Sequence, residues 1–118
     1  MTLRFSGSLR QNHLFQRLYR KGKSAVGGLV VLYCRPNGTE LNRVGVTVSV
    51  KLGCAVRRNR VRRRLREIYR LNEERFLPGF DIVVVARGRS VRADYRDLER
   101  EYLRLAERLH LTKTETAE

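Results

Sequence analysis

The stretch Lys51–Arg70, KLGCAVRRNRVRRRLREIYR, decides how the rest of this chain of 118 residues is organised. It holds nine Lys or Arg residues and one Glu, so it carries +8 of the net charge of +14. At about 100° per residue, Val61, Leu65 and Ile68 fall on one side of a helix. The stretch therefore predicts an amphipathic helix that begins near Ala55 and buries this apolar stripe.

The opposite side of the predicted helix is cationic. It carries Asn59, Arg63, Arg66 and Arg70, it is bordered by Arg60 and Arg62, and Arg57, Arg58 and Arg64 flank the apolar stripe. Exposed helix faces usually mix acidic with basic residues, because like charges one turn apart repel each other. An arginine face of this kind is typical of a surface that a polyanion neutralises, and a merely solvated face is the less favoured interpretation.

Nucleic acid is favoured over an anionic membrane as that polyanion. A membrane-surface helix has a wide face of Leu, Phe and Trp, whereas this helix lies within an α/β pattern and the chain has no Trp. No apolar run approaches the length of a membrane span, and the N-terminal residues lack the apolar core of a signal peptide. We therefore expect a cytoplasmic protein with no membrane partner.

Three apolar segments predict β-strands around the basic helix, at residues 28–35, 43–51 and 80–87. In the second segment, Val44, Val46, Val48 and Val50 alternate with small, polar and basic residues. This alternation predicts one packed face and one face left open for a ligand. The turn residues at 36–39 predict that the first two strands form an antiparallel hairpin.

Two further helices are predicted, one near each end of the chain. Their apolar residues recur at helical spacing, with Leu14, Phe15, Leu18 and Tyr19 in residues 9–21 and Leu98, Tyr102, Leu105 and Leu109 in residues 93–109. The order α-β-β-α-β-α predicts an α+β fold, an α/β sandwich with a small central sheet. If the second and third strands are parallel neighbours, the default crossover through the basic helix is right-handed.

The length predicts a single domain over residues 1–118, and we expect residues 1–7 and 112–118 to be disordered. We expect this domain to be an RNA-binding domain. The two cysteines, Cys34 and Cys54, are predicted to be buried free thiols, because a disulfide is typical of secreted proteins.

The chain shows no constellation of catalytic residues. His13 and His110 are isolated, the two Cys and two His lack zinc-ligand spacing, and no carboxylate cluster or glycine-rich phosphate loop is present. We therefore predict neither a catalytic nor a metal-binding residue in the protein, and no small-molecule substrate. Aromatic rings beside cationic side chains can instead grip single-stranded RNA. This is the alternative to the core interpretation of Phe15 and Tyr19, and it also includes Tyr33.

An ordered set of short motifs resembles the protein subunit of bacterial ribonuclease P. The run RNRVRR at 58–63 is followed by Leu65-Arg66-Glu67, and it is preceded by RVGVTVS at 43–49 and KLG at 51–53. The segments FQRLYRKG at 15–22 and DIVVVAR at 81–87 fit the same family. The resemblance covers about residues 8–110, nearly all of the predicted fold.

The resemblance implies a function in tRNA maturation. The family's protein binds a catalytic RNA subunit, and the complex removes the 5′ leader from precursor tRNA with Mg²⁺ held mainly by the RNA subunit and the substrate. The implied surface for the RNA subunit comprises Arg58, Asn59, Arg60, Arg62, Arg63 and Arg66, to which Arg70 is added from the same helix face. The implied cleft for the leader comprises Phe15, Tyr19, Tyr33, Ser49 and Lys51. The family also implies a left-handed crossover around the basic helix.

The sequence departs from the family pattern at two positions beside the signature. Val50 stands where a second basic residue is usual, and Cys54 stands where Asn is usual. Two alternatives to this function stay open. A structural ribosomal protein has the same charge and size, and an autonomous nuclease would cleave RNA without an RNA partner.

Overall fold

The computed structural model describes residues 6–8 and 12–113, with side chains from Phe15 onward. Within these residues, the elements are β1 (Ser6–Ser8), α1 (Asn12–Lys21), β2 (Lys23–Val26), β3 (Val30–Pro36), β4 (Asn42–Thr47), α2 (Ala55–Asn72), β5 (Phe80–Ala86) and α3 (Tyr95–Arg108). The strands form one mixed sheet, with α2 and α3 packed on one face and α1 on the other. The predicted α+β class is confirmed.

The order of the described strands across the sheet is β1-β4-β5-β3-β2. The central strand β5 runs parallel to β4 and antiparallel to β3. The predicted antiparallel hairpin between residues 28–35 and 43–51 is therefore wrong, because β5 lies between them. The reason is burial: Ile82, Val83 and Val84 are consecutive and fully buried, and such a run needs a covered position inside the sheet.

The connection from β4 through α2 to β5 joins parallel neighbours, which is the condition under which the sequence analysis expected a crossover. The left-handed crossover implied by the family resemblance stays a prediction.

The two edge strands were not predicted, because they are short and polar and carry no alternating apolar signal. Ser6–Ser8 pairs in parallel with β4, so the predicted disorder of residues 1–7 is wrong for Ser6 and Gly7. At the other end, Thr112 forms an isolated bridge with Phe76, so disorder does not begin at residue 112. Residues 1–5 and 114–118 lie outside the described residues.

The main core lies between the sheet and the two helices α2 and α3. The predicted stripe of α2 is confirmed, because Val61, Leu65 and Ile68 are buried. The predicted stripe of α3 is confirmed as well, and its buried residues are Leu98, Tyr102, Leu105 and Leu109. Because this core holds α2 by one side only, the opposite side of the helix is left to solvent.

The second strand is shorter than predicted. β4 ends at Thr47, and a short 3₁₀ turn occupies Val50–Leu52. The side chain of Ser49 accepts a hydrogen bond of 3.1 Å from the backbone N–H of Lys51, which fixes the turn. Val50 is consequently 72% exposed and does not continue the row of Val44, Val46 and Val48, which pack against the core.

Glu101 of α3 anchors the start of β3. Its carboxylate is buried and accepts hydrogen bonds from the backbone N–H groups of Leu29 (2.7 Å) and Val30 (2.8 Å). A Cβ on Gly27 would collide with the carboxylate of Glu101, so glycine is required for this close approach. The contact ties α3 to the start of β3.

Replacement of Glu101 by Ala is expected to destabilise the fold. It leaves two backbone donors without an acceptor beside the core, at a cost of about 2 kcal/mol or more in the free energy of unfolding. Urea denaturation followed by circular dichroism measures this difference. The matched control is Glu107→Ala, an exposed acidic residue of the same helix, and equal stability of the two variants would contradict the anchoring role.

Candidate nucleic-acid interface

The solvent side of α2 forms a cationic face, which we define as Asn59, Arg60, Arg63 and Arg66. All four residues are exposed, as predicted from the helical phase. Within the described residues, none of these three arginines has an acidic partner. The guanidinium groups are therefore available for an external anion, and their planar forks suit bidentate contacts with phosphate.

The remaining arginines predicted for the RNA surface make contacts within the protein. Arg58 Nε donates to the carbonyl of Gly53 (3.1 Å), and Arg62 Nη1 donates to Asn59 Oδ1 (2.9 Å). Both side chains are half-buried and are held at the border of the cationic face. These bonds pre-orient the two guanidinium groups and leave their other donors for a ligand.

Arg70 differs from the other arginines because it forms an ion pair with Glu67. Its Nε and Nη2 donate to the two carboxylate oxygens at 3.1 and 2.6 Å. The hydrogen bond from Arg70 lowers the pKa of Glu67, and the hydrogen bond to Glu67 raises the pKa of Arg70. Arg70 is thus locally neutralised, and its predicted contact with RNA has the least support.

On the other face of the sheet, α1, β3 and β4 form an aromatic patch, which we define as Phe15, Tyr19, Tyr33 and Thr47. The rings of Tyr19 and Tyr33 meet edge to face with centroids 4.9 Å apart. Tyr19 Oη lies 3.4 Å from Thr47 Oγ1. Phe15 and Tyr33 are partly buried against Leu18 and Val83.

Tyr19 overturns the core interpretation of its helix stripe. Leu18 is buried as predicted, but Tyr19 is 42% exposed. The side chain of Leu14 lies outside the described residues. An exposed ring held by a second ring offers a flat surface for a base.

Two further residues predicted for the leader cleft follow Thr47 along the chain. Ser49 and Lys51 are exposed, as expected for a ligand surface. Thr47 was not predicted as a site residue, although its place in the alternating strand put it on the open face with Ser49 and Lys51. The same short segment then passes through Gly53, at φ +128°, into α2. The aromatic patch and the cationic face are therefore linked by the turn after β4.

The two cysteines occupy contrasting environments. Both are free, as predicted, but Cys34 is buried and Cys54 is exposed. Burial raises the pKa of Cys34. Cys54 precedes the first residue of α2, and the nearby backbone N–H of Arg57 in the first turn lowers the pKa of its thiol. The prediction of two buried thiols is wrong for Cys54, because the helix start projects it into solvent.

Cys54 is expected to react with iodoacetamide well before Cys34. A lowered pKa leaves more of the Cys54 thiol as reactive thiolate near neutral pH, whereas Cys34 is both shielded and less ionised. Mass spectrometry of peptides at successive times measures the two rates. The variant Cys54→Ser should lose the fast reaction, and preferential labelling of Cys34 in the native protein would contradict this placement.

In the part of the chain that the structure describes, no group of three or more His, Cys, Asp or Glu side chains could hold a metal ion. No helix in that part is long and apolar enough to cross a membrane.

Comparison with known proteins identifies close relatives. The sequence model of the family Ribonuclease P matches residues 3–110. The chain is 45% identical over 103 residues to the ribonuclease P protein component of Alkaliphilus oremlandii, across 87% of this chain and 90% of that protein.

Solved structures agree with this match. The RNase P protein of Staphylococcus aureus superposes with a TM-score of 0.84 at 28% identity, over 92% of this chain and 99% of that one. The RNase P protein of Thermotoga maritima gives a TM-score of 0.79 at 35% identity, over 86% and 96%. The resemblance inferred from the sequence motifs is confirmed.

Proposed function

The chain belongs to the ribonuclease P protein family, and we propose that it is the protein component of a ribonucleoprotein that removes the 5′ leader of precursor tRNA. The observation that carries this proposal is the pairing of two surfaces through one turn. A cationic face that has no acidic partner among the described residues suits a folded RNA, and an aromatic patch on the opposite side of the sheet suits a single strand.

The proposed contact with the catalytic RNA subunit uses the cationic face and its border, Arg58 and Arg62. Arginines on one helix side bind backbone phosphates and read little sequence. Binding would be strongly salt-dependent, since every neutralised phosphate releases counterions. Six such contacts correspond to a log–log slope of about −4 to −5.

The proposed path of the leader uses the aromatic patch together with Ser49 and Lys51. The exposed ring of Tyr19 stacks on a base, and Thr47 and Ser49 offer hydroxyl groups at the edge of the same sheet face. Lys51 supplies a charge for the backbone. Val50, exposed where the family usually has a basic residue, leaves Lys51 as the lysine of this turn.

Replacement of Tyr19 by Ala is expected to weaken binding of precursor tRNA but not of mature tRNA. Loss of one stacked base costs about 1–3 kcal/mol, or roughly 5- to 150-fold in affinity. Fluorescence binding to the reconstituted ribonucleoprotein, with substrates that carry or lack the leader, measures the effect. Tyr19→Phe keeps the ring and serves as control, and an equal loss for both tRNA forms would count against leader stacking.

We assign no protein side chain to Mg²⁺. The described residues gather no group of three or more His, Cys, Asp or Glu side chains that could hold a metal ion. The proposal places Mg²⁺ on the RNA subunit and its substrate, together with the chemical step. We also propose that the protein acts in the cytoplasm.

Reconstitution tests the proposed function. A bacterial ribonuclease P RNA should process precursor tRNA at low Mg²⁺ when this protein is added, and poorly when it is not. Incubation of precursor tRNA with the protein alone tests the nuclease alternative, because cleavage in the absence of the RNA subunit would support that alternative. A structural ribosomal protein would give no stimulation and no dependence of affinity on the leader, and that result would refute the proposal.

A further inference from the structure

A second cluster of arginines lies on the sheet face that carries α1. Asp81 on the central strand β5 is the register partner of Arg35 on β3 and of Arg43 on β4. Arg17 of α1 lines the same cleft, which has a volume of about 150 Å³. Three guanidinium groups and one carboxylate give the cleft a net charge of +2.

The buried carboxylate of Asp81 holds Arg43 in place. Arg43 Nε and Nη2 donate to Asp81 Oδ1 and Oδ2 at 2.7 and 2.8 Å, and Asn37 Nδ2 also donates to Oδ1 at 3.1 Å. Both carboxylate oxygens are therefore engaged. Because Arg43 is fixed by two parallel bonds, its remaining Nη1 donors are presented in a set orientation.

The other two arginines of the cleft have no such partner. Neither Arg17 nor Arg35 forms an ion pair with any residue that the structure describes. Like charges brought together in one cleft repel each other, and an anion that contacts all three removes this cost. The volume is about ten times the roughly 15 Å³ that a cavity needs to hold one water molecule, which gives room for a phosphate group with bound water.

The cleft is separate from the aromatic patch. Arg17 and Tyr19 are two positions apart on α1, which is about 200° around the helix. Leu18 between them is buried and packs with Val83 of the sheet. The arginine cleft and the aromatic patch therefore lie on opposite flanks of α1.

We propose that Arg17, Arg35 and Arg43 form a binding site for an RNA backbone phosphate on the flank of α1 away from the aromatic patch. Arginine forks suit phosphate because they donate two parallel hydrogen bonds. The proposed function determines which RNA supplies the phosphate, whereas phosphate binding itself can be measured on the protein alone.

The first experiment titrates inorganic phosphate into the protein and follows the Nε–H signals of arginines by NMR, with chloride at equal ionic strength as reference. We expect saturable shifts at Arg17, Arg35 and Arg43. The double variant R17A/R35A should bind phosphate at Arg43 about tenfold more weakly. The control R96A/R108A removes two exposed arginines of α3 and should leave these shifts unchanged. Absence of saturable shifts in the native protein would overturn the site.

The second experiment identifies the RNA. Binding of R17A/R35A is measured to the RNA subunit alone and, within the ribonucleoprotein, to precursor tRNA with a long or a short leader. We expect the affinity for one of these RNAs to fall about tenfold. The log–log slope of that affinity against salt concentration should become smaller by about 0.7–0.9, the value of one phosphate contact. A loss confined to the long leader assigns the phosphate to the leader, and a loss with the RNA subunit alone assigns it there.

The two proposals fail in different ways. If R17A/R35A binds every one of these RNAs as tightly as R96A/R108A does, the site does not bind RNA and the inference is wrong. If phosphate shifts persist but the native protein does not stimulate processing, the proposed function fails while the anion site stands.

Discussion

Reversal of two charges on the cationic face, Arg63→Glu with Arg66→Glu, is expected to weaken binding of the RNA subunit about 100-fold without unfolding the protein. Each lost charged hydrogen bond is worth roughly 1.5–3 kcal/mol, and two of the lower value correspond to about 100-fold. The log–log salt slope should fall by about 1.5, because two phosphate contacts disappear. Filter binding over a range of salt concentrations measures both quantities.

The fold should tolerate this reversal, because both side chains are exposed and have no acidic partner in the described part of the chain. The matched control reverses Arg96 and Arg108 on α3, which changes the net charge equally on another helix. Equal losses in the two double variants would mean that RNA senses only the total charge. An unfolded Arg63→Glu variant would instead show that the phase assigned to α2 is wrong.

The other large effect is expected at Leu65, on the opposite side of the same helix. Leu65 is fully buried in the core between the sheet, α2 and α3. Truncation to Ala removes buried apolar surface and leaves a cavity, at a cost of about 2–5 kcal/mol in the free energy of unfolding. Since whole domains are stable by only about 5–15 kcal/mol, the variant loses a large share of its stability.

Thermal denaturation measures the effect of Leu65→Ala, and a fall in Tm of about 10 °C or more is expected. The control is Val56→Ala, at an apolar position of α2 that is 77% exposed, where the change should stay within about 0.5 kcal/mol. RNA binding by Leu65→Ala should recover at low temperature, where the folded form dominates. Similar stability of the two variants would contradict the assigned core face.

The character of α2 could be predicted from sequence because it is a local property. Three apolar residues at helical spacing set the buried side, and everything else about the face follows from geometry. The pairing of Arg70 with Glu67 could not be predicted with the same security. When an arginine has several charged neighbours, its rotamer and the surrounding packing determine which of them it contacts. Sequence spacing alone specifies neither.

The sheet order was less predictable because it depends on long-range pairing. The turn at Asn37 and Gly38 indicated a reversal of the chain, and Gly38 does adopt a positive φ of 74°. A reversal of the chain does not determine which strand pairs with β3. In the structure the strongly apolar β5, and not β4, lies next to β3. The arginine cleft was missed for the same reason, since Arg35 and Arg43 flank Asp81 only in the folded sheet.

The exposure of Tyr19 shows a limit of helical periodicity. The spacing of Leu18 and Tyr19 identified the side of α1 that faces the sheet. The spacing could not show that Tyr19 lies beside Thr47 at the margin of the sheet face that α1 covers. At that position the ring of Tyr19 stays partly exposed to solvent.

The central position of β5 has a consequence for synthesis on the ribosome. In the described sheet, β5 joins the pair β3–β2 to the pair β4–β1, and it follows α2 in the chain. Until residue 86 has left the ribosomal tunnel, the sheet cannot close and α2 lacks the surface on which it packs. A nascent chain therefore exposes its arginine-rich segment before it has a fold, and pairing over such sequence distances is intrinsically slow. RNA that neutralises this segment would act on the unfinished protein as well as on the folded one.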